Sequence, residues 1–105
     1  MIKKTLEVNT GNSKYKIFIG KNILSSSGPL IKKKLLNPKV FIITNKLINK
    51  LYGKNLENSL KKSKISFIKI IINDGEQYKS IETINLITSK LLKYKVDRND
   101  TLIAF

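Results

Sequence analysis

Cysteine and histidine are both missing from this sequence. Without cysteine there is no disulfide framework and no thiolate chemistry. Without histidine the commonest metal ligand and the commonest general base are gone, so no histidine-containing metal site can be built from these residues alone. Arginine is scarce: Arg98 is the one arginine among 21 basic residues, set against only 7 acids. The resulting net charge of +14 is almost pure lysine. Lysine, isoleucine and asparagine are over-used together, and all three have AT-rich codons. The charge therefore reads as compositional drift on solvated faces. Nucleic-acid readers also use arginine, for bidentate contacts and stacking. No apolar run exceeds a handful of residues, far below the ~20 that span a bilayer. The charged start Met1-Ile2-Lys3-Lys4-Thr5 is followed by no apolar signal region. The expected location is the cytoplasm, with neither a membrane nor a nucleic acid as partner.

What is present is organised around Asp74-Gly75-Glu76-Gln77-Tyr78-Lys79-Ser80. The apolar run Ile65 to Ile72 leads in, and a helix-period stretch, Ile81 to Leu92, leads out. A strand, a polar loop with one glycine and then a helix N-terminus is how an open α/β sheet builds a ligand-binding edge. The six residues from Asp74 to Lys79 carry two carboxylates and one ammonium, more polar chemistry than a turn needs.

The rest of the chain supplies a scaffold for that loop. Thr5 to Val8 and Lys14 to Ile19 alternate in character around a turn-rich Asn9 to Ser13, which predicts a β-hairpin. Ile23, Leu24, Leu30, Ile31, Leu35 and Leu36 form a helical stripe interrupted at Gly28-Pro29. That predicts a short turn followed by a helix starting at Pro29. Asn37-Pro38 breaks the chain. Val40-Phe41-Ile42-Ile43 is a continuous β-branched and aromatic run, as in a parallel strand buried on both faces. Thr44-Asn45 can cap the next helix, where Leu47, Ile48, Leu51, Tyr52, Leu56 and Leu60 keep helical spacing and Gly53 is a weak point. Tyr52 and Leu56 are expected in the core. Lys61 to Lys64 is a solvated exit, and Lys32 to Lys34 reads as a solvated face. Ser80 is a good N-cap, and Glu82 sits where the helix dipole favours an acid. Ile81, Ile84, Ile87, Leu91 and Leu92 are expected to form a buried face. Val96 to Asp100 is a polar turn, with Asp97 and Arg98 as a local ion pair. Thr101 to Phe105 begins a further strand. The expected fold is α/β: an N-terminal β-hairpin, then the βαβαβ half of a Rossmann-like, open, mostly parallel sheet. Residues 1–105 are expected to be an incomplete domain, because a strand of this type is normally followed by a loop and a covering helix.

Four stretches carry a resemblance to a known family: Tyr15 to Gly20 (YKIFIG), Val40 to Gly53 (VFIITNKLINKLYG), Asp74 to Thr83 (DGEQYKSIET) and Asp97 to Ala104 (DRNDTLIA). In order and spacing they resemble the N-terminal part of 3-dehydroquinate synthase, a sugar-phosphate cyclase of the shikimate pathway. DGEQYKS at the end of a strand, with DR…TLIA one helix later, is the specific part. The family commonly has proline before DGEQ, where this chain has Asn73. In the family the segment like TLIA runs into a GGGVxGD loop that holds the NAD pyrophosphate. Here Phe105 stands where leucine is usual, and that loop and the C-terminal metal and substrate domain are absent.

The resemblance implies an NAD- and metal-dependent lyase. It converts 3-deoxy-D-arabino-heptulosonate 7-phosphate to 3-dehydroquinate with phosphate release, using NAD and regenerating it within one turnover. A divalent metal, zinc or cobalt, and a homodimeric state are implied with it. On this chain the implied cofactor-binding residues are Asp74, Gly75, Glu76, Gln77, Tyr78 and Lys79, with Thr44 and Asn45 near the adenosine end. No catalytic residue and no metal ligand is carried over, and the chain alone is expected to be inactive. Physically, a carboxylate such as Glu76 can accept both hydroxyls of a ribose diol. Lys79 is a mobile cation within reach of cofactor oxygens or Glu76. The structural alternative is a plain turn capped by Ser80, and helix capping for Thr44-Asn45. Three functional alternatives stand beside the main one: another sugar-phosphate cyclase of inosose synthase type, a small basic nucleic-acid-binding protein, or a non-functional remnant.

Overall fold

A computed structural model describes residues 1–35 and 39–105. The expected end of the first helical stripe at Leu36 and the break at Asn37-Pro38 lie outside the described residues.

The chain opens as an antiparallel hairpin of β1 (Ile2–Asn9) and β2 (Lys14–Gly20). Its turn is closed by the Asn9 side chain accepting from the Gly11 amide at 2.9 Å, and by the Thr10 amide donating to the Ser13 carbonyl at 2.9 Å. Pairing extends back to Ile2, beyond the expected Thr5, because the lysines between them point into solvent at no cost. A 3-10 turn, Ile23–Ser26, runs directly into α1 (Ser27–Lys34). The helix thus begins two residues before Pro29. The proline falls in the first turn, where its missing amide has no intrahelical partner anyway.

The remainder is β3 (Lys39–Asn45), α2 (Lys46–Lys62), β4 (Ser66–Ile72), α3 (Ile81–Lys93) and β5 (Thr101–Ala104). The three strands form a parallel sheet in the order β4-β3-β5. The Phe105 amide continues the ladder by donating to the Ile43 carbonyl at 3.0 Å. This is the expected parallel half-sheet behind a hairpin. The central strand reads as a continuous apolar run because it is covered on both faces, and Val40, Phe41 and Ile42 are fully buried.

The two faces are covered unequally. Val40 and Ile42 pack with Leu56, Leu60 and Ile65 into one core cluster, joined by Leu24, Ile31, Phe67 and Ile103. This is the α1–α2 side. Close approach of those helices depends on Gly28, where a Cβ would lie 2.2 Å from the Ser59 carbonyl oxygen. The Ser59 hydroxyl locks the contact, accepting from the Gly28 amide at 2.8 Å and donating to the Ser25 carbonyl at 2.7 Å. Lys69 on the same sheet face pairs with Glu57 of α2 at 3.0 Å.

The other face carries Phe41, Ile68, Ile70 and, on β5, Leu102, by the strand register. Right-handed crossovers to opposite sides of β3 place α3 there. The expected buried face of α3 is not observed: Ile81, Ile84 and Leu92 are 68%, 56% and 69% exposed, and no residue of α3 is buried. Ile87 and Leu91 are half-buried, while the other apolar side chains of α3 have no second layer over them among the described residues. Tyr52 is likewise not core. It is half exposed, because the buried row of α2 runs through Gly53, Leu56, Ser59 and Leu60. Nor do Asp97 and Arg98 form an ion pair among the described residues. Asp97 accepts from the Arg98 amide, and the acid that pairs is Asp100, 3.9 Å from Lys39.

Candidate functional site

The carboxyl edge of the parallel sheet gathers the ends of β3 and β4 and the starts of α2 and α3. Both helices start where the sequence provides a cap. The Asn45 side chain accepts from the Ile48 amide at 2.8 Å, and the Ser80 hydroxyl accepts from the Thr83 amide at 3.3 Å. Capping is therefore the structural work of Asn45. Thr44 is buried on the α2 side of the sheet; its hydroxyl and the side-chain Oδ1 of Asn49 find no partner among the described residues.

Asp74 has a second capping task that nothing local in the sequence reveals. Its Oδ1 accepts from the Leu47 amide at 3.0 Å, across 27 residues. One helix N-terminus thus draws two side chains from two different strand ends. Its unpaired amides attract a carboxylate, and that bond pins the β4 loop to the β3–α2 junction. The partner was hidden because capping patterns are read within a few residues, whereas this one depends on β4 lying beside β3.

Beyond Asp74 the chain turns at Gly75, whose φ of 107° and ψ of 154° are open to glycine and costly for other residues. A single 3-10 turn follows over Glu76–Tyr78, closed by the Tyr78 amide donating to the Gly75 carbonyl at 3.1 Å. That turn sets Glu76 and Lys79 on one side, and the Lys79 Nζ donates to Glu76 Oε1 at 3.0 Å. The two side chains are 86% and 74% exposed. An ion pair this open contributes little stability. Its effect is to hold a carboxylate and an ammonium side by side above the sheet edge, with Glu76 Oε2 unengaged among the described residues. Gln77 is exposed next to them.

Tyr78 leans towards a hollow of about 510 Å³ between the loop and α3, lined by Ile72, Tyr78, Lys79, Ser80, Ile81 and Ile84. The structure thus brings Asn45 and Asp74 to one helix end and Tyr78 and Lys79 to the rim of one hollow, with Glu76 joined to it through its bond from Lys79. Thr44 stays underneath, in the core. The donor set on this edge suits a polyhydroxylated ligand: two carboxylates to accept, an ammonium to donate, and an apolar wall for a flat ring. It does not suit a metal. No group of three or more acid, histidine or cysteine side chains able to hold one occurs among the described residues. Nor, among them, is any helix long and apolar enough to cross a membrane.

No protein-family model matches the chain. Curated proteins do. The chain is 37% identical over 101 residues to the 3-dehydroquinate synthase of Clostridium acetobutylicum, 96% of this chain and 28% of that protein. It is 40% identical over the same share of its own length to the 3-dehydroquinate synthases of Vesicomyosocius okutanii and Neisseria meningitidis serogroup C, covering 27% and 28% of them. Among solved structures, a 2-deoxy-scyllo-inosose synthase with carbaglucose-6-phosphate, NAD+ and Co2+ matches 94% of the chain with a TM-score of 0.79 at 13% identity, over 27% of that protein. A 2-epi-5-epi-valiolone synthase from Streptomyces hygroscopicus, with NAD+ and Zn2+ bound, matches 71% of the chain and 20% of its own length with a TM-score of 0.61 at 23% identity. At such identities the two structures speak for the fold alone. By sequence the chain is a relative of the 3-dehydroquinate synthases, matched over 96% of its residues and spanning a little over a quarter of their length.

Proposed function

We propose that this chain supplies one edge of the NAD site of a 3-dehydroquinate synthase, the enzyme that turns 3-deoxy-D-arabino-heptulosonate 7-phosphate into 3-dehydroquinate with loss of phosphate. The observation that carries the proposal is the sequence match to proteins of that name across 96% of the chain. The geometry at the sheet edge supports it, and so do the NAD+ complexes of proteins sharing the fold. Glu76 accepts ribose hydroxyls, and Lys79 steadies the carboxylate and reaches a cofactor oxygen. Gly75 lets the backbone come close, while Gln77 and Tyr78 flank the ligand. Asp74 and Asn45 act chiefly by fixing the loop and the start of α2. NAD carries the redox chemistry; these residues bind and orient it. The metal ligands and the pyrophosphate loop lie outside these 105 residues in this reading, so the chain by itself has no turnover.

The test is phosphate release from the heptulosonate substrate with NAD+ and zinc present. It is run on the chain alone and on the Clostridium enzyme with its matching segment replaced by this one. The chain alone stays silent and the chimera turns over. In the chimera, Glu76→Ala raises KM for NAD+ about tenfold, the worth of one charge-assisted hydrogen bond. Turnover by the chain alone refutes this division of labour, and an unchanged KM refutes the role of Glu76. A second reading, a sugar-phosphate cyclase of inosose synthase type, shares the same fold and has only that in its support. Offering the chimera both substrates does not separate the two readings, because the rest of the enzyme reads the substrate. Sequencing the coding DNA on both sides of this segment does.

A further inference from the structure

A second groove lies between the hairpin and α1. It has a volume of about 640 Å³ and is lined by Lys14, Tyr15, Lys16 and Phe18 of β2 and by Leu30, Ile31, Lys33, Lys34 and Leu35 from α1 and just beyond it. Among the described residues four lysines border it and no carboxylate does. Tyr15 points to the opposite face of the hairpin from Lys14 and Lys16, yet all three line the groove, and no residue of β1 does. The groove is therefore bounded by the outer edge of β2. Among the described residues that edge is unpaired, since β2 has β1 as its sole partner.

We propose that this groove is a docking site for an extended acidic segment of another polypeptide, added to β2 as a third strand. An unpaired edge offers alternating amides and carbonyls that only a peptide backbone matches. The alternation of β2 then specifies the side chains. Those turned towards α1 meet Lys14, Lys16, Lys33 and Lys34, so they are acidic. Those turned away join Tyr15 and Ile17, 51% and 40% exposed, so they are apolar. A nucleic acid would satisfy the lysines and leave the strand edge unmatched. A second copy of this chain would set lysines against lysines.

The probe is a short, fluorescein-labelled peptide alternating glutamate and valine, titrated onto the whole chain at about 100 mM salt and followed by anisotropy. Binding is expected with Kd in the range of roughly 10–100 µM. The double variant Lys16→Glu, Lys33→Glu weakens it at least tenfold. The double variant Lys61→Glu, Lys62→Glu makes the same change in net charge away from the groove and leaves it within about twofold. Circular dichroism confirms that both variants fold; all four lysines are exposed, so folding is not at stake. N-methylation of alternate peptide amides on the pairing edge abolishes binding. The proposal is overturned if no peptide binds, if a block peptide of the same composition binds as well as the alternating one, or if both lysine variants weaken binding equally. It is also overturned if an oligonucleotide of equal charge displaces the peptide.

Discussion

Replacing Asp74 with alanine tests the link between the loop and the sheet. In the structure its carboxylate holds the Leu47 amide at 3.0 Å from an exposed position. Loss of a capping side chain costs about 0.5–2 kcal/mol. Removing a negative charge from a helix N-terminus adds roughly 0.3–1 kcal/mol. The bond is solvent-accessible, so the low end of each range applies, and the expected cost is about 0.8–1 kcal/mol. Asp74→Asn keeps an acceptor and forfeits the charge, so it costs roughly 0.5 kcal/mol. Asn45→Ala frees the neighbouring Ile48 amide, held at 2.8 Å, and costs about 1 kcal/mol. The two caps share one helix end, so the double variant departs from the sum. Urea unfolding gives the stabilities, and amide exchange at Leu47 locates the effect, rising several-fold in Asp74→Ala before global unfolding. If Asp74→Ala leaves stability within about 0.3 kcal/mol and exchange at Leu47 unchanged, Asp74 does not tie the loop to α2.

Other substitutions probe the packing. Gly28→Ala forces a Cβ to within 2.2 Å of the Ser59 carbonyl oxygen and 2.6 Å of the Ser63 hydroxyl, so α1 must move off α2. The expected loss is about 2–4 kcal/mol, from overpacking together with the strained Gly28–Ser59 bond, read as a lowered urea midpoint. Leu60→Ala opens a cavity at a fully buried position and costs about 2–5 kcal/mol, whereas Leu92→Ala, at 69% exposure, stays within about 0.5 kcal/mol. Equal losses at the two leucines would show that α3 is covered as fully as α2.

The hairpin, the three strands and the three helices were legible in the sequence within a few residues, because each follows from local rules. Continuous apolar runs bounded by polar turns make strands buried on two faces. Asn45 and Ser80 stand where helices need an acceptor, and each was found capping. The loop from Asp74 to Lys79 was legible as a polar connection for the same reason: two acids, a lysine and a glycine crowd between a strand and a helix. The pairing of Glu76 with Lys79 follows from their spacing in one turn.

Where the chain departs from its local pattern, neighbours distant in sequence decided. The periodicity of α3 marks an apolar stripe, but whether a stripe is buried depends on what covers it. Ile81, Ile84 and Leu92 stay exposed because nothing among the described residues covers them. Tyr52 satisfies helical spacing, yet the buried row of α2 runs through Gly53, Leu56, Ser59 and Leu60 and leaves the ring outside. Asp74 became a cap for α2 and Ser59 a lock on α1 only once parallel pairing and helix packing set them beside partners 27 and more than 30 residues away. Amino-acid order alone determined which segments are strands, helices and loop, because hydrophobic period and capping act over a few residues. Tertiary structure decided which faces are covered and which polar atoms meet, because burial and hydrogen bonding depend on distance in space.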